Sequence, residues 1–113
     1  MQKIEAIIRP EKLDDVKNAL ANVGVGGLNV VHVTGRGSQK SVVHMGRSGE
    51  TYEVDMLPKV KIELVVSDGQ ADQVVNTICE VAHTGHVGDG KIFIAPMADA
   101  IRVRTGERGD EAL

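Results

Sequence analysis

Apolar and polar positions along the chain change period several times, and each change marks an element. Ile4, Ala6 and Ile8 alternate with Glu5, Ile7 and Arg9, a strand with one face more buried than the other. Pro10 follows where a helix can open. Leu13, Val16, Leu20 and Val23 then share one helical face, with Asp14, Asp15, Lys17 and Asn18 largely elsewhere. Gly24 closes this helix, because glycine takes the left-handed conformation cheaply. Val25-Gly26-Gly27 is a turn, and the β-branched run from Leu28 to Val33 predicts a second strand.

No period holds from Thr34 to Met56. Gly35, Gly37, Gly46 and Gly49 are scattered among Ser, Arg, His and Lys, and a structureless loop this long inside a compact domain is usually functional. Order returns after Pro58, where Val60, Ile62, Leu64 and Val66 alternate with Lys61, Glu63 and Val65. Ser67 or Asp68 can cap a second helix with the apolar stripe Ala71, Val74, Val75, Ile78 and Ala82. Thr84 to Gly90 is another glycine loop, Ile92 to Ile94 a short buried strand closed by Pro96, and Ile101 to Arg104 a last short strand before a polar tail.

The order is strand, helix, strand, long loop, strand, helix, strand, with one extra strand. The halves share a layout but not a sequence. Two such units give an α+β fold, the ferredoxin-like βαββαβ sandwich, with both helices on one face of the sheet. The other face has no helix to cover it, and burying it by self-association predicts an oligomer.

Composition narrows the function. The 113 residues suffice for one domain, 1–113, with a real core. A net charge of −3 lacks the Lys and Arg surplus of a nucleic-acid partner. Tyr52 and Phe93 are too few aromatics for a base-stacking platform. The single cysteine, Cys79, permits no intrachain disulfide and reads as a small core residue of the second helix. Glu5 and Arg9 interrupt the first apolar run, so no signal peptide is read there, and no run is long enough to cross a bilayer; a cytoplasmic location is the expectation.

Two segments carry candidate chemistry. Gly85-His-Val-Gly-Asp-Gly-Lys91 has the spacing of a phosphate loop as far as its lysine. Ile92, however, stands where Ser or Thr would hold Mg²⁺, and the helix precedes the loop instead of following it. Two readings stand side by side. In one, Gly88 and Gly90 let the backbone present amides as an anion nest beside Lys91. In the other, the glycines only supply positive φ in a tight turn. Arg102 and Arg104 share one strand face and suit a phosphate, or alternatively pair with Glu107, Asp99 or Glu63. His83 and His86 stand three apart with no Cys or third His beside them, short of a zinc set; His32 decorates a strand and His44 the long loop.

These residues also carry a resemblance. Thr84-Gly-His-Val-Gly-Asp-Gly-Lys-Ile-Phe93 resembles the C-terminal signature of the PII signal-transduction family, and Arg102-Val-Arg-Thr-Gly-Glu107 its arginine-rich closing segment, here 102–113. Leu57-Pro-Lys-Val-Lys-Ile-Glu63 is similar to its central strand, and Met1 to Val23 to its opening strand and helix. The resemblance implies a non-enzymatic homotrimer that binds ATP or ADP at its subunit interfaces, adds 2-oxoglutarate when Mg-ATP is bound, and signals through a long, flexible T-loop, here 36–56. It further implies that the 84–91 loop holds nucleotide through Gly88, Asp89, Gly90 and Lys91, assisted by Arg102 and Arg104. Gly37, Ser38 and Gln39 would approach the phosphates, with Gln39 also meeting Mg²⁺ through ATP. Asn29 and Val65 would lie near the adenine. Gln39, Lys40 and Lys59 would contact 2-oxoglutarate. The implied partner is a target protein reached through the T-loop, such as a membrane ammonium transporter or a metabolic enzyme, with no nucleic acid and no membrane insertion.

Departures concentrate in the T-loop. Family members carry Gly-Phe/Tyr-Gly-Arg-Gln-Lys-Gly where this chain reads Gly35-Arg-Gly-Ser-Gln-Lys-Ser41, so Ser38 replaces an arginine that touches phosphate, and Asn29 stands where threonine is usual. The tip, Met45-Gly-Arg-Ser-Gly-Glu-Thr-Tyr52, has one extra residue; Tyr52 aligns with the tyrosine nucleotidylated in some members, and Arg47 with the arginine that plugs ammonium channels. Two further readings are a PII-like nucleotide-binding module with a different second effector and partner, and a slow ATPase, for which no base or nucleophile is positioned by the sequence.

Overall fold

The computed structural model describes residues 1–37, 42–47, 49, 51–54 and 56–113, with only the backbone described for 42–45 and 51–54. Strand β1 (Gln2–Ile8) leads through a short 3₁₀ turn at Pro10–Lys12 into helix α1 (Leu13–Asn22). Strand β2 (Asn29–Gly35) follows, then β3 (Val42–Met45), β4 (Thr51–Val54) and the long β5 (Leu57–Val66). Helix α2 (Asp68–Ala82), strand β6 (Gly90–Pro96) and a 3₁₀ turn at Gly109–Ala112 complete the chain. The main sheet runs β2-β5-β1-β6 and is antiparallel throughout, while β3 and β4 pair with each other in a separate hairpin. With the hairpin set aside, this is the ferredoxin-like order, the first and third main strands lying in the centre.

Strict alternation on the two central strands builds the core. Ile4, Ala6 and Ile8 of β1 and Val60, Ile62, Leu64 and Val66 of β5 all turn to the same face. Val16 and Leu20 of α1 and Ala71, Val74, Ile78 and Ala82 of α2 close over them, with Leu13, Val23, Val30, Val75 and Ile92 at the margin. No polar side chain is buried among the described residues.

The opposite face, which no helix covers, is not wholly apolar. Along its centre Lys3 pairs with Glu5 at 2.9 Å and Lys61 with Glu63 at 3.0 Å, and Glu5 sits directly across from Glu63. Val31 and Phe93 flank this charged ladder from the two edge strands, and both are exposed. The face is therefore a mosaic of ion pairs and apolar side chains.

Four local expectations change. The segment expected to be structureless contains the β3–β4 hairpin, and between its strands the Gly49 amide donates to the Gly46 carbonyl at 3.1 Å. Strands of four residues are too short to show a period. Strand β6 is longer than predicted and not buried, because it forms the sheet edge: Phe93 and Ile94 are each 52% exposed. Cys79 is exposed, since it lies about 100° around the helix from Ile78, off the buried stripe. The last predicted strand is absent as such. Residues 102–107 close on themselves, Arg102 N–H donating to Glu107 O at 2.9 Å and Gly106 N–H to Arg102 O at 2.7 Å, and only an isolated Ile101–Arg108 bridge remains.

Candidate functional site

Helix α2 ends at Ala82 and the chain returns into β6 through residues 83–89, with Gly85, Gly88 and Gly90 all at positive φ. Gly90 is fixed by more than its dihedral. It pairs with Ile8 in the β1–β6 ladder, and a Cβ there would stand 1.7 Å from the Ile7 carbonyl oxygen. Only glycine lets the loop enter the sheet this close to β1.

Asp89 organises the rest of the loop. Its carboxylate accepts from the Thr84 amide at 2.8 Å, the Gly85 amide at 3.0 Å, the Thr84 hydroxyl, and Arg9 Nε at 3.1 Å. The Thr84 hydroxyl, followed by these amides and the Arg9 guanidinium, holds the Asp89 carboxyl well below the usual carboxylate range. Arg9 also reaches the loop tip, Nη2 donating to the Val87 carbonyl at 2.9 Å. From β5, Lys59 Nζ donates to the Gly88 carbonyl at 2.7 Å. Burial, and next the charge of Arg9, push the Lys59 ammonium below its ordinary range.

Beside the loop lies a cavity of about 440 Å³ lined by Ile7, Gly35, Arg36, Gly37, Lys59, His86, the 88–91 run and Phe93. Lys59 of β5, Lys91 of β6 and Arg36 just past β2 thus share one concave surface with glycine backbone, an arrangement suited to a polyanion with several negative oxygens. The structure brings Gly37, Lys59, Gly88, Asp89, Gly90 and Lys91 together here. The Asp89 side chain is turned onto its own loop, so what Asp89 offers a ligand is backbone.

The other predicted residues lie elsewhere. Asn29 and Val65 line a larger cleft of about 880 Å³ between the 24–29 turn and β5, with Lys3, Glu63 and Gln70. Arg102 lines neither cavity; it donates to Glu107 Oε1 at 3.2 Å and to the Glu111 carbonyl at 3.1 Å, while Arg104 is exposed. Ser38, Gln39 and Lys40 lie outside the described residues, so the Mg²⁺ contact assigned to Gln39 does too; Tyr52 falls on β4, where only backbone is described, and Arg47 is exposed in the hairpin turn. Among the described residues, no three His, Cys, Asp or Glu side chains are grouped to hold a metal ion, and no helix is long and apolar enough to cross a membrane.

Sequence reasoning missed Arg9. It shares no motif with the glycine loop, 80 positions away from Asp89. The signal was in the topology: once β1 and β6 are neighbours, with Ile8 opposite Gly90, position 9 must fall beside Asp89.

Fold and loop together define a small α+β protein of ferredoxin-like build with a glycine loop between its second helix and last strand. Residues 1–107 match the family model described as nitrogen regulatory protein P-II. Over 113 residues, all of each chain, the sequence is 54% identical to nitrogen regulatory protein P-II 1 of Escherichia coli (strain K12). At the same coverage it is 54% identical to nitrogen regulatory protein P-II of Klebsiella oxytoca and 50% to that of Azospirillum brasilense. The chain belongs to the P-II family, and is a PII-type regulator of nitrogen signalling; the family is one of regulatory proteins, not enzymes.

Proposed function

We propose that this regulator is a cytoplasmic homotrimer that binds ATP or ADP in clefts completed between subunits. With Mg-ATP in place it takes up 2-oxoglutarate, and segment 36–56 passes the resulting state to a target, such as a membrane ammonium transporter or a metabolic enzyme. The observation that carries this reading is the convergence of Gly37, Lys59 and the run Gly88 to Lys91 on one cavity. A polyphosphate there would lie in a cavity lined by two lysines and glycine backbone, and fixed cations in a partly dry cleft favour multiply charged anions strongly. Asn29 and Val65 line a different cleft of the same chain, and Arg102 and Arg104 neither cleft. A site completed between subunits would bring these groups to one ligand, and the trimer belongs to the reading on that ground. Arg102 would exchange Glu107 for phosphate on binding.

Calorimetric titration with Mg-ATP, with and without 2-oxoglutarate, and again with ADP, tests the reading. Expected is ATP binding strengthened by 2-oxoglutarate through a coupling of roughly 1–3 kcal/mol. Binding without that coupling supports instead a PII-like module with another second effector, the reading favoured by Ser38 in place of the family arginine. No nucleotide binding refutes both.

A further inference from the structure

We propose that Arg9 is a positioning residue for nucleotide binding: it shapes the 84–90 loop by holding Asp89 and the Val87 carbonyl at once. The proposal rests on the nucleotide reading above and adds the device that keeps the loop in its binding shape.

The argument starts from the peptide planes. In a trans peptide the carbonyl and the following N–H point in opposite directions, and the described chain has no cis bond. Arg9 Nη2 draws the Val87 carbonyl to itself, so the Gly88 N–H in the same plane is directed away from Arg9. Lys59 draws the Gly88 carbonyl, so the Asp89 N–H is directed away from Lys59. Two successive amides are thereby oriented by cations behind them. Positive φ at Gly88 permits this course but does not select it, because glycine is equally free to take others.

Arg9 also closes the loop at its base. Asp89 Oδ1 takes Arg9 Nε, while Oδ2 takes the Thr84 and Gly85 amides, so one carboxylate ties the loop's exit to its entry. The guanidinium fork is what allows a single side chain to grip base and tip together. An ammonium at this place has three donors, but they radiate from one nitrogen without the fork's reach, so it spans the two separated acceptors less well. The pair is only partly exposed, with side-chain accessibility of 15% for Arg9 and 24% for Asp89, so solvent replaces the lost contacts poorly.

The test uses the full chain and Mg-ATP titrations of wild type, Arg9→Ala, Arg9→Lys, Asp89→Asn and the Arg9→Ala/Asp89→Asn pair. Amide hydrogen exchange across 84–90 is measured on each protein without nucleotide. Arg9→Ala is expected to weaken ATP about tenfold, the scale of losing hydrogen bonds between charged groups. Arg9→Lys is expected to recover part of that loss. The double variant is expected to bind no more weakly than the poorer single one, since both act through one clasp. Exchange across 84–90 is expected to accelerate in Arg9→Ala while the core strands stay protected. Unchanged affinity in Arg9→Ala, or additive losses in the pair, would overturn the positioning role, the latter by showing that Arg9 acts independently of Asp89. Unchanged exchange in the nucleotide-free variants overturns it whatever ATP does. Failure of the wild type to bind ATP is a separate result and counts against the nucleotide reading alone.

Discussion

Gly90→Ala strikes the point where the candidate site is joined to the sheet. A methyl group at this position would lie 1.7 Å from the Ile7 carbonyl oxygen and 2.8 Å from its carbon, with Ile8 Cα at 3.2 Å. A carbon–oxygen contact settles near 3.3 Å, so the strands must part by about 1.6 Å. The atoms in the way are backbone, and no rotamer change relieves them. Overpacking of this kind costs about 1–3 kcal/mol, and a left-handed backbone adds about 1–2 kcal/mol for a residue with a Cβ. The φ of +109° at Gly90 brings in that second cost. The sum, about 2–5 kcal/mol, is a large share of the ~5–15 kcal/mol that holds a domain folded. For a chain of this length roughly 4 °C is lost per kcal/mol, so the midpoint should fall by at least ~8 °C. The assay is thermal unfolding by circular dichroism at fixed protein concentration, with Gly26→Ala as the control. An added Cβ at Gly26 meets nothing within 4 Å, and its φ is not positive. The control should stay within about 0.5 kcal/mol of wild type. Equal midpoints for Gly90→Ala and Gly26→Ala would refute the close approach of β6 to β1 on which the placement of the loop depends.

Two further outcomes follow from the same geometry. Arg102→Ala should weaken ATP by about 1.5–3 kcal/mol, the worth of a hydrogen bond to a charged group, and leave assembly unchanged in sedimentation. Unaltered ATP binding would remove the closing segment from the site. Asp89 titrates below the ordinary carboxylate range, so its charged form is the one the fold favours. Its contribution to stability is therefore complete above about pH 4 and declines as the pH falls further. Denaturant unfolding should show Asp89→Asn less stable than wild type at pH 7, with the gap narrowing at pH 3; a gap independent of pH would exclude the charge as the source.

How much of this was legible in the sequence differs from element to element. Period-two alternation on Ile4 to Ile8 and Val60 to Val66 marked the two central strands correctly, because each has one face against the helices. A different signal misjudged β6: the unbroken apolar run Ile92, Phe93 and Ile94 read as buried, but an edge strand is covered on one side only, and its edge position follows from pairing that no local window contains. Arg102 and Arg104 looked like one face of a strand because alternation says nothing of whether a partner strand exists. The backbone there instead folds through Gly106 onto Glu107. Within the site, the glycine run and Lys91 were legible as a motif and Lys59 through a resemblance. Arg9 was not, because its function depends on β1 lying against β6. Asp89 was legible as part of the loop but not in its role, since sequence cannot tell a carboxylate that faces a ligand from one that faces Thr84 and Gly85.

The central claim is that the cavity beside residues 88–91 is where nucleotide binds. Residue-resolved amide hydrogen exchange, with and without saturating Mg-ATP, addresses it most directly. The account predicts slowed exchange at Gly88 to Lys91 and at Gly35 to Gly37, accompanied by Asn29 and Val65 when the neighbouring subunit completes the cleft. Protection confined to any other part of the chain, with the 84–91 loop exchanging as before, would contradict it.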